Sequence, residues 1–300
     1  MRDRAGEFFG ENEENTNKRL KYRYVEGLEF LPAPNTIFAE LGSLNLEFTR
    51  LTQLTGDPKY YDAVQRIANF LEESQNNTAL PGMWPVTVDA RSKSFFDTHF
   101  TVGGMADSSY EYLPKEHILL GGHTDQYGKM YTTAIDTIKE NLLFRAMTKD
   151  GRDAMFAGNG RVVYIRKKPS LEYQTEHLKC YLGATIGVGA KVFDRPQELS
   201  LARMLTEGCI WAYDIMPTGI MPEIFHVAAC RDLEKCSWDE IKWFTEVRSN
   251  SRRASISNDA VAEGRSTARE KGIPPGIVSI SDAQYHLRYF SLVFFFFFIF

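Results

Sequence analysis

Residues 38–67 read FAELGSLNLEFTRLTQLTGDPKYYDAVQRI. With Ile37 just ahead, Leu41, Leu44, Phe48 and Leu51 recur at helical spacing and lay one apolar face along a long helix from Ile37. Gly56-Asp57-Pro58 ends that helix, because glycine admits a left-handed stop and proline cannot extend the hydrogen-bond ladder. Tyr60, Val64, Ile67 and Leu71 then repeat the spacing in a second helix. Two helices across a short turn form an αα-hairpin. The pattern recurs more weakly at Ala134–Met147, Leu178–Phe193 and Leu199–Tyr213. Strand-like alternation is sparse, with Val162–Ile165 the best candidate for a short hairpin. The chain reads as all-α, assembled from helical hairpins.

Composition narrows the partners. The 300 residues carry 35 Lys and Arg against 39 Asp and Glu, a net charge of −4, which argues against a nucleic-acid binder. Aromatic residues make up 13%, enough for stacking on flat ligands such as sugar rings, and equally suited to a large helical core. Met1–Leu20 has no apolar run, so it reads neither as a signal peptide nor as a membrane anchor. The apolar run Leu292–Phe300 is far shorter than the ~20 residues of a spanning helix. It reads as an artefact foreign to a soluble domain and as an aggregation hazard. Residues 249–276, rich in Ser, Arg, Gly and Pro, read as a long exposed loop or insertion.

Three short segments could carry chemistry. In Gly103-Gly104-Met105-Ala106-Asp107-Ser108-Ser109-Tyr110-Glu111-Tyr112, Asp107 and Glu111 fall one helical turn apart with tyrosines beside them. Paired carboxyls next to aromatic rings are what glycoside hydrolysis needs, one to move a proton and the rings to stack on the sugar. The plainer reading is a helix cap at Asp107 and a solvated Glu111. In Glu176-His177-Leu178-Lys179-Cys180, a lone His at the start of an apolar helix is more often structural than catalytic, and the glycines that follow lack a nucleotide-loop context. In Gly219-Ile220-Met221-Pro222-Glu223, a carboxylate follows a proline in an apolar turn. Cys180, Cys209, Cys230 and Cys236 complete the reactive set, and His226-x3-Cys230-x5-Cys236 matches no familiar zinc spacing. A Cys180–Cys209 disulfide is the better reading; it would add about 3–4 kcal/mol in the chain-entropy model and imply an oxidising lumen. Asn76-Asn77-Thr78 is a glycosylation sequon compatible with that compartment.

Taken together and in order, FAELGSLNLEFTRLTQLTGDPKYYDAVQRI, GGMADSSYEYLPKE, EHLKCYLGA and PTGIMPE resemble the class I α-mannosidases of glycoside hydrolase family 47, the fungal members most of all. The resemblance spans residues 30–288, leaving 1–29 unassigned and 289–300 as the phenylalanine-rich tail. It implies an (α/α)7 barrel, incomplete in this chain. It also implies an inverting, Ca²⁺-dependent hydrolase that removes α-1,2-linked mannose from high-mannose N-glycans on glycoproteins in the endoplasmic reticulum or Golgi lumen. By motif position, Asp107 and Glu223 correspond to active-site carboxylates. Glu40, Glu111, His177 and Arg288 correspond to residues that line the glycan pocket, and Cys180 and Cys209 to the family disulfide.

The departures shape what is expected of this chain. The family's Phe-Glu-(Ser/Thr)-Thr-Ile-Arg segment has no counterpart before Phe30. Where the family continues Leu-Arg-Pro-Glu, Leu287-Arg288 runs into Tyr289-Phe290, and the Ca²⁺-ligating Thr lies further on and is absent, so no metal ligand is assigned. The expectation is an inactive fragment of a mannosidase. Its rivals are a catalytically dead glycan-binding protein and the product of a mis-spliced or frameshifted gene.

Overall fold

The first helical stretch is broken, and this corrects the single long helix expected from Ile37. Helix α1 (Phe38–Gly42) stops at Ser43, and α2 (Asn45–Thr55) begins two residues later. The break lets the Gly42 backbone lie against Ser109, where a Cβ would come within 2.2 Å of the hydroxyl. Ser109 Oγ in turn donates to Phe38 O at 2.7 Å. The buried positions of α2 are Asn45 and Thr49, whereas Leu44, Leu51 and Leu54 are exposed. Gly56 ends α2 as expected, at φ 72° with its N–H on Thr52 O. Helix α3 (Lys59–Ser74) then buries Val64, Ala68 and Leu71.

The computed structural model describes residues 32–163, 166–230, 232–233, 235–250 and 259–286. Arg288, the 1–29 segment and the 289–300 tail lie outside them. Further along run α4 (Asp107–Leu119), α5 (Gln126–Asn141), α6 (Tyr181–Val192), α7 (Leu199–Asp214), α8 (Glu240–Ser249) and α9 (Ala260–Glu270). Consecutive helices pack as pairs, α2 with α3, α4 with α5, α6 with α7 and α8 with α9, which is the hairpin architecture read from the periodicity. Helix α9 corrects the expected 249–276 loop. Gly264 packs directly on the Phe244 carbonyl, and Ala268 is buried. On the α9 side this interface is made chiefly by small residues, so a periodicity reading finds few large apolar residues there. The weak 134–147 pattern also splits, with α5 ending at Asn141 and a strand following.

Between the helices lie short strands: β1 (Thr36–Ile37), β2 (Thr87–Val88), β3 (His99–Phe100), β4 (Leu143–Arg145), β5 (Met155–Ala157), β6 (Asn159–Val163), β7 (Arg166–Glu172), β8 (Gln174–Glu176), β9 (Ile224–Val227) and β10 (Ile277–Asp282). They pair antiparallel as β1-β2, β3-β6-β7, β4-β5 and β8-β9-β10. The hairpin expected near Val162–Ile165 is β6-β7, with Val163 opposite Arg166. Most of the others are too short to show an alternation. One hydrophobic cluster runs from Phe38 to Val278, with Trp84, Trp211, Tyr110, Tyr127 and Tyr131 among its largest buried side chains. Phe156 meets both Trp211 and Phe225 edge-on at 6.0 Å, joining the α6-α7 pair to the β8-β9-β10 sheet.

Candidate active site

The Gly103–Ala106 turn aims α4. Gly103 O accepts from the N–H groups of Ala106 and Asp107 at 3.0 and 2.9 Å, so Asp107 opens the helix where unsatisfied N–H groups favour a carboxylate. Its Oδ1 accepts from Ser108 N at 2.9 Å. Met105 holds the turn in a left-handed conformation, φ 72°, that side chains seldom adopt. Its carbonyl accepts from Ala39 N at 2.9 Å, which seats α1, and Glu40 with it, against the turn. Glu40 Oε2 is buried with no hydrogen-bond partner. One turn into α4, Glu111 pairs with Lys115 at 2.6 Å.

Both glycine amides of this turn are held from other elements. Gly103 N donates to Thr101 Oγ1 at 3.0 Å, and Thr101 donates to Asn159 Oδ1 at 2.8 Å. Gly104 N donates to Glu176 Oε2 at 2.9 Å. Lys179 closes the ring, its ammonium 2.6 Å from Asn159 Oδ1 and 3.6 Å from Glu176 Oε1, with the Gly158 and Gln174 carbonyls at 3.3 and 3.4 Å. Lys179 is buried, and burial pulls its amine down to about 8 against the opposing pull of Glu176. A Cβ at Gly103 would meet the Glu176 carboxylate and the Lys179 Cε at 2.7 Å, so the ring also requires glycine there.

Tyr181, the first residue of α6, feels the charge of carboxylates on several elements. Its hydroxyl is buried without a hydrogen-bond partner. Burial first, and then the negative charge of Asp107, Glu111 and Glu176 together with Tyr110, holds its phenol well above the ordinary value. A second cluster adjoins the first through the β8-β9 register, which sets Glu176 opposite Ile224. That pairing places Glu223 beside His177: His177 N donates to Glu223 O at 2.9 Å, and Nδ1 lies 3.8 Å from Glu223 Oε2. Tyr213 OH hydrogen-bonds His177 Nε2 at 2.7 Å, and the Tyr285 ring stacks on the imidazole at 5.7 Å.

The residues singled out in the sequence therefore fall in one region in two groups. Asp107 and Glu111 share α4 and bear by charge on Tyr181, with the α1 turn of Glu40 seated on the same turn, and His177 pairs with Glu223. Arg288 lies outside the described residues. Sequence reasoning missed the parts played by Glu176, Lys179, Tyr181, Tyr213 and Tyr285. The sequence does hold one signal for the first two, a Lys three positions after a Glu at the head of an apolar helix.

The Cys180–Cys209 disulfide joins the end of this segment to α7, with Cα atoms 6.0 Å apart. Cys230 and Cys236, whose pairing the sequence left open, are also bonded.

Known proteins resemble this chain. The glycosyl hydrolase family 47 model matches residues 12–288. The rat endoplasmic reticulum mannosyl-oligosaccharide 1,2-alpha-mannosidase is 33% identical over 222 residues, 70% of this chain and 31% of the relative. The Spodoptera frugiperda mannosyl-oligosaccharide alpha-1,2-mannosidase IA is 28% identical over 196 residues, 64% of this chain and 27% of the relative. The chain thus spans 27–31% of the length of these two curated relatives. Among solved structures, the Trichoderma reesei alpha-1,2-mannosidase, an (α/α)7 barrel, superposes with a TM-score of 0.60 at 24% identity, over 77% of this chain and 44% of that one. That likeness speaks to the fold. The match over residues 12–288 speaks to descent: the chain belongs to glycosyl hydrolase family 47.

Proposed function

We propose that this chain carries the mannose-binding face of an α-1,2-mannosidase acting on high-mannose N-glycans in the lumen of the endoplasmic reticulum or Golgi, with no nucleic-acid partner. One observation carries the reading. Asp107 opens α4, Glu111 follows one turn on and Glu176 holds the Gly104 amide ahead of them, all three bearing by charge on Tyr181, and Glu40 belongs to the helix seated on the same turn. Carboxylates set along one turn offer the acceptors that the hydroxyls of a polyhydroxylated ring require. Asp107 and Glu223 are the carboxyls assigned to the reaction, in which inversion requires two carboxyls set wide enough apart to admit a water. Glu40, Glu111 and His177 hold sugar hydroxyls.

The family implies Ca²⁺, a cation that takes six to eight oxygen ligands. Among the described residues no group of three or more His, Cys, Asp or Glu side chains could hold a metal, so the donors present do not fit that ion. No step is derived through it. A specific departure favours a binding role: Tyr289-Phe290 stands where the family motif has Pro-Glu, its favoured base.

The test is α-1,2-linked mannobiose given to the full chain with Ca²⁺ present, measuring both binding and mannose release. The expected result is binding without turnover, weakened at least tenfold in Asp107→Asn and in Glu40→Gln. Mannose release abolished by Asp107→Asn would assign the complete hydrolase to this chain. A folded chain that shows neither binding nor release overturns the reading.

A further inference from the structure

We propose that Asn76 is an N-glycosylation site, modified before the segment around it folds. Asn76-Asn77-Thr78 is the only Asn-x-Ser/Thr triplet in the 300 residues, and no proline interrupts it. It forms the turn that leaves α3, with residues Gln75–Asn77 in a single 3₁₀ turn. The turn divides sharply by burial. Gln75 is buried, and its amide donates to the Gly82 and Met130 carbonyls, both at 2.9 Å. Thr78 is buried too, its hydroxyl 2.8 and 2.7 Å from the Leu80 and Met83 carbonyls.

Asn76, between them, is exposed, and its amide takes no hydrogen bond from a described residue. Its neighbours Glu72, Glu73 and Asn77 are exposed and polar, and Asn77 Nδ2 is engaged with Glu73 O at 3.1 Å. An oligosaccharide on Asn76 Nδ2 would therefore project into solvent without displacing a contact. The two disulfides place the chain in an oxidising compartment, where the donor for this reaction is found.

The transfer balances simply. Asn76 Nδ2 attacks the anomeric carbon of a polyprenyl-pyrophosphate-linked oligosaccharide, and an N–C bond forms as the sugar–phosphate C–O bond breaks. The polyprenyl pyrophosphate leaves, and one amide proton passes to a base of the transferase. The sequon hydroxyl is read during that transfer. In the folded chain the Thr78 hydroxyl is buried and committed to two backbone carbonyls, so it cannot be read there. That fixes the order of events, with transfer first and closure of the 75–83 turn second.

The experiment directs the full chain into the secretory lumen of a eukaryotic host and measures its intact mass with and without peptide-N-glycosidase. The expected result is a single enzyme-sensitive oligosaccharide on Asn76, lost completely in Asn76→Gln and retained in Thr78→Ser, which keeps the hydroxyl. In a second arm, chain folded without the modification is offered the transferase and its lipid-linked donor, before and after reduction and unfolding. Only the unfolded chain is expected to be modified. Disulfide-bonded chain recovered from the lumen with an unmodified Asn76 overturns the site, and equal modification of folded and unfolded chain overturns the order. Neither readout involves mannose binding or release, so the mannosidase reading stands or falls separately.

Discussion

Lys179 shows how one side chain can govern a turn it never touches directly in sequence. Its ammonium is buried among Asn159, Glu176 and two carbonyls, and through Glu176 and Thr101 it fixes the two glycine amides ahead of Asp107. Burying that charge is costly, which is why the amine falls from 10.5 to about 8. Because the folded-state value is the lower one, the unfolded chain binds more protons between those two pH values. The contribution of Lys179 to stability is thus complete above about 10.5 and is lost as pH falls through about 8. Urea unfolding from pH 7 to 10.5 should show the natural chain gaining on Lys179→Met by about 3 kcal/mol. A parallel pair of curves would show the amine to be unperturbed. The Asp107–Glu111 spacing was legible because both residues sit on one helix. Glu176 and Lys179 show in the sequence only as a pair three residues apart, because the Gly104 amide, the Asn159 side chain and the Gly158 carbonyl that they hold are brought in by other elements.

Helices were readable where large apolar residues made the contact, as in α3 and α7, and were misread where small or polar residues did. Asn45 and Thr49 form the buried seam of α2, with Thr49 Oγ1 donating to the buried Glu116 carboxylate, so the leucine stripe pointed to the wrong face. Glu116 is itself held above the usual carboxylate range, by burial before anything else and against the Thr49 hydrogen bond. Helix α9 was hidden for a related reason. A Cβ at Gly264 would lie 1.9 Å from the Phe244 carbonyl, so the close approach of α8 and α9 depends on the residue that looked most like a loop breaker. Gly264→Ala, which would favour an isolated helix, should instead destabilise the protein by about 1–3 kcal/mol. A gain in the urea midpoint would show that the two helices do not meet. Gly208 makes the same demand between α7 and β5, since a Cβ there would lie 2.3 Å from the Met155 carbonyl oxygen.

Taken as a body, the described chain keeps most of its large aromatic residues inside and leaves Leu44, just ahead of α2, and Leu51 and Leu54 within it in solvent. Clustered exposed leucines promote self-association. Leu54→Lys should raise the monomeric fraction seen by light scattering and leave the unfolding free energy within about 0.5 kcal/mol. An unchanged association state would mean that this stripe is not where copies meet. The disulfide from Cys180 to Cys209 bears on the candidate site as well as on stability. Cys180 lies three residues after His177, and Cys209 lies four before Tyr213 on α7, so the covalent bond and the His177–Tyr213 hydrogen bond are two rungs of one ladder. Replacing both cysteines by alanine should cost about 2–5 kcal/mol and weaken mannobiose binding as well, measured by urea unfolding and titration calorimetry on the same sample. On the proposed reading, sulfur oxidation then acts as an assembly step for the sugar pocket. Chain held under reducing conditions would contain every pocket residue but would lack the fixed spacing between His177 and Tyr213 on which recognition depends. Thiol chemistry, ahead of any bound mannose, would decide when this protein becomes competent.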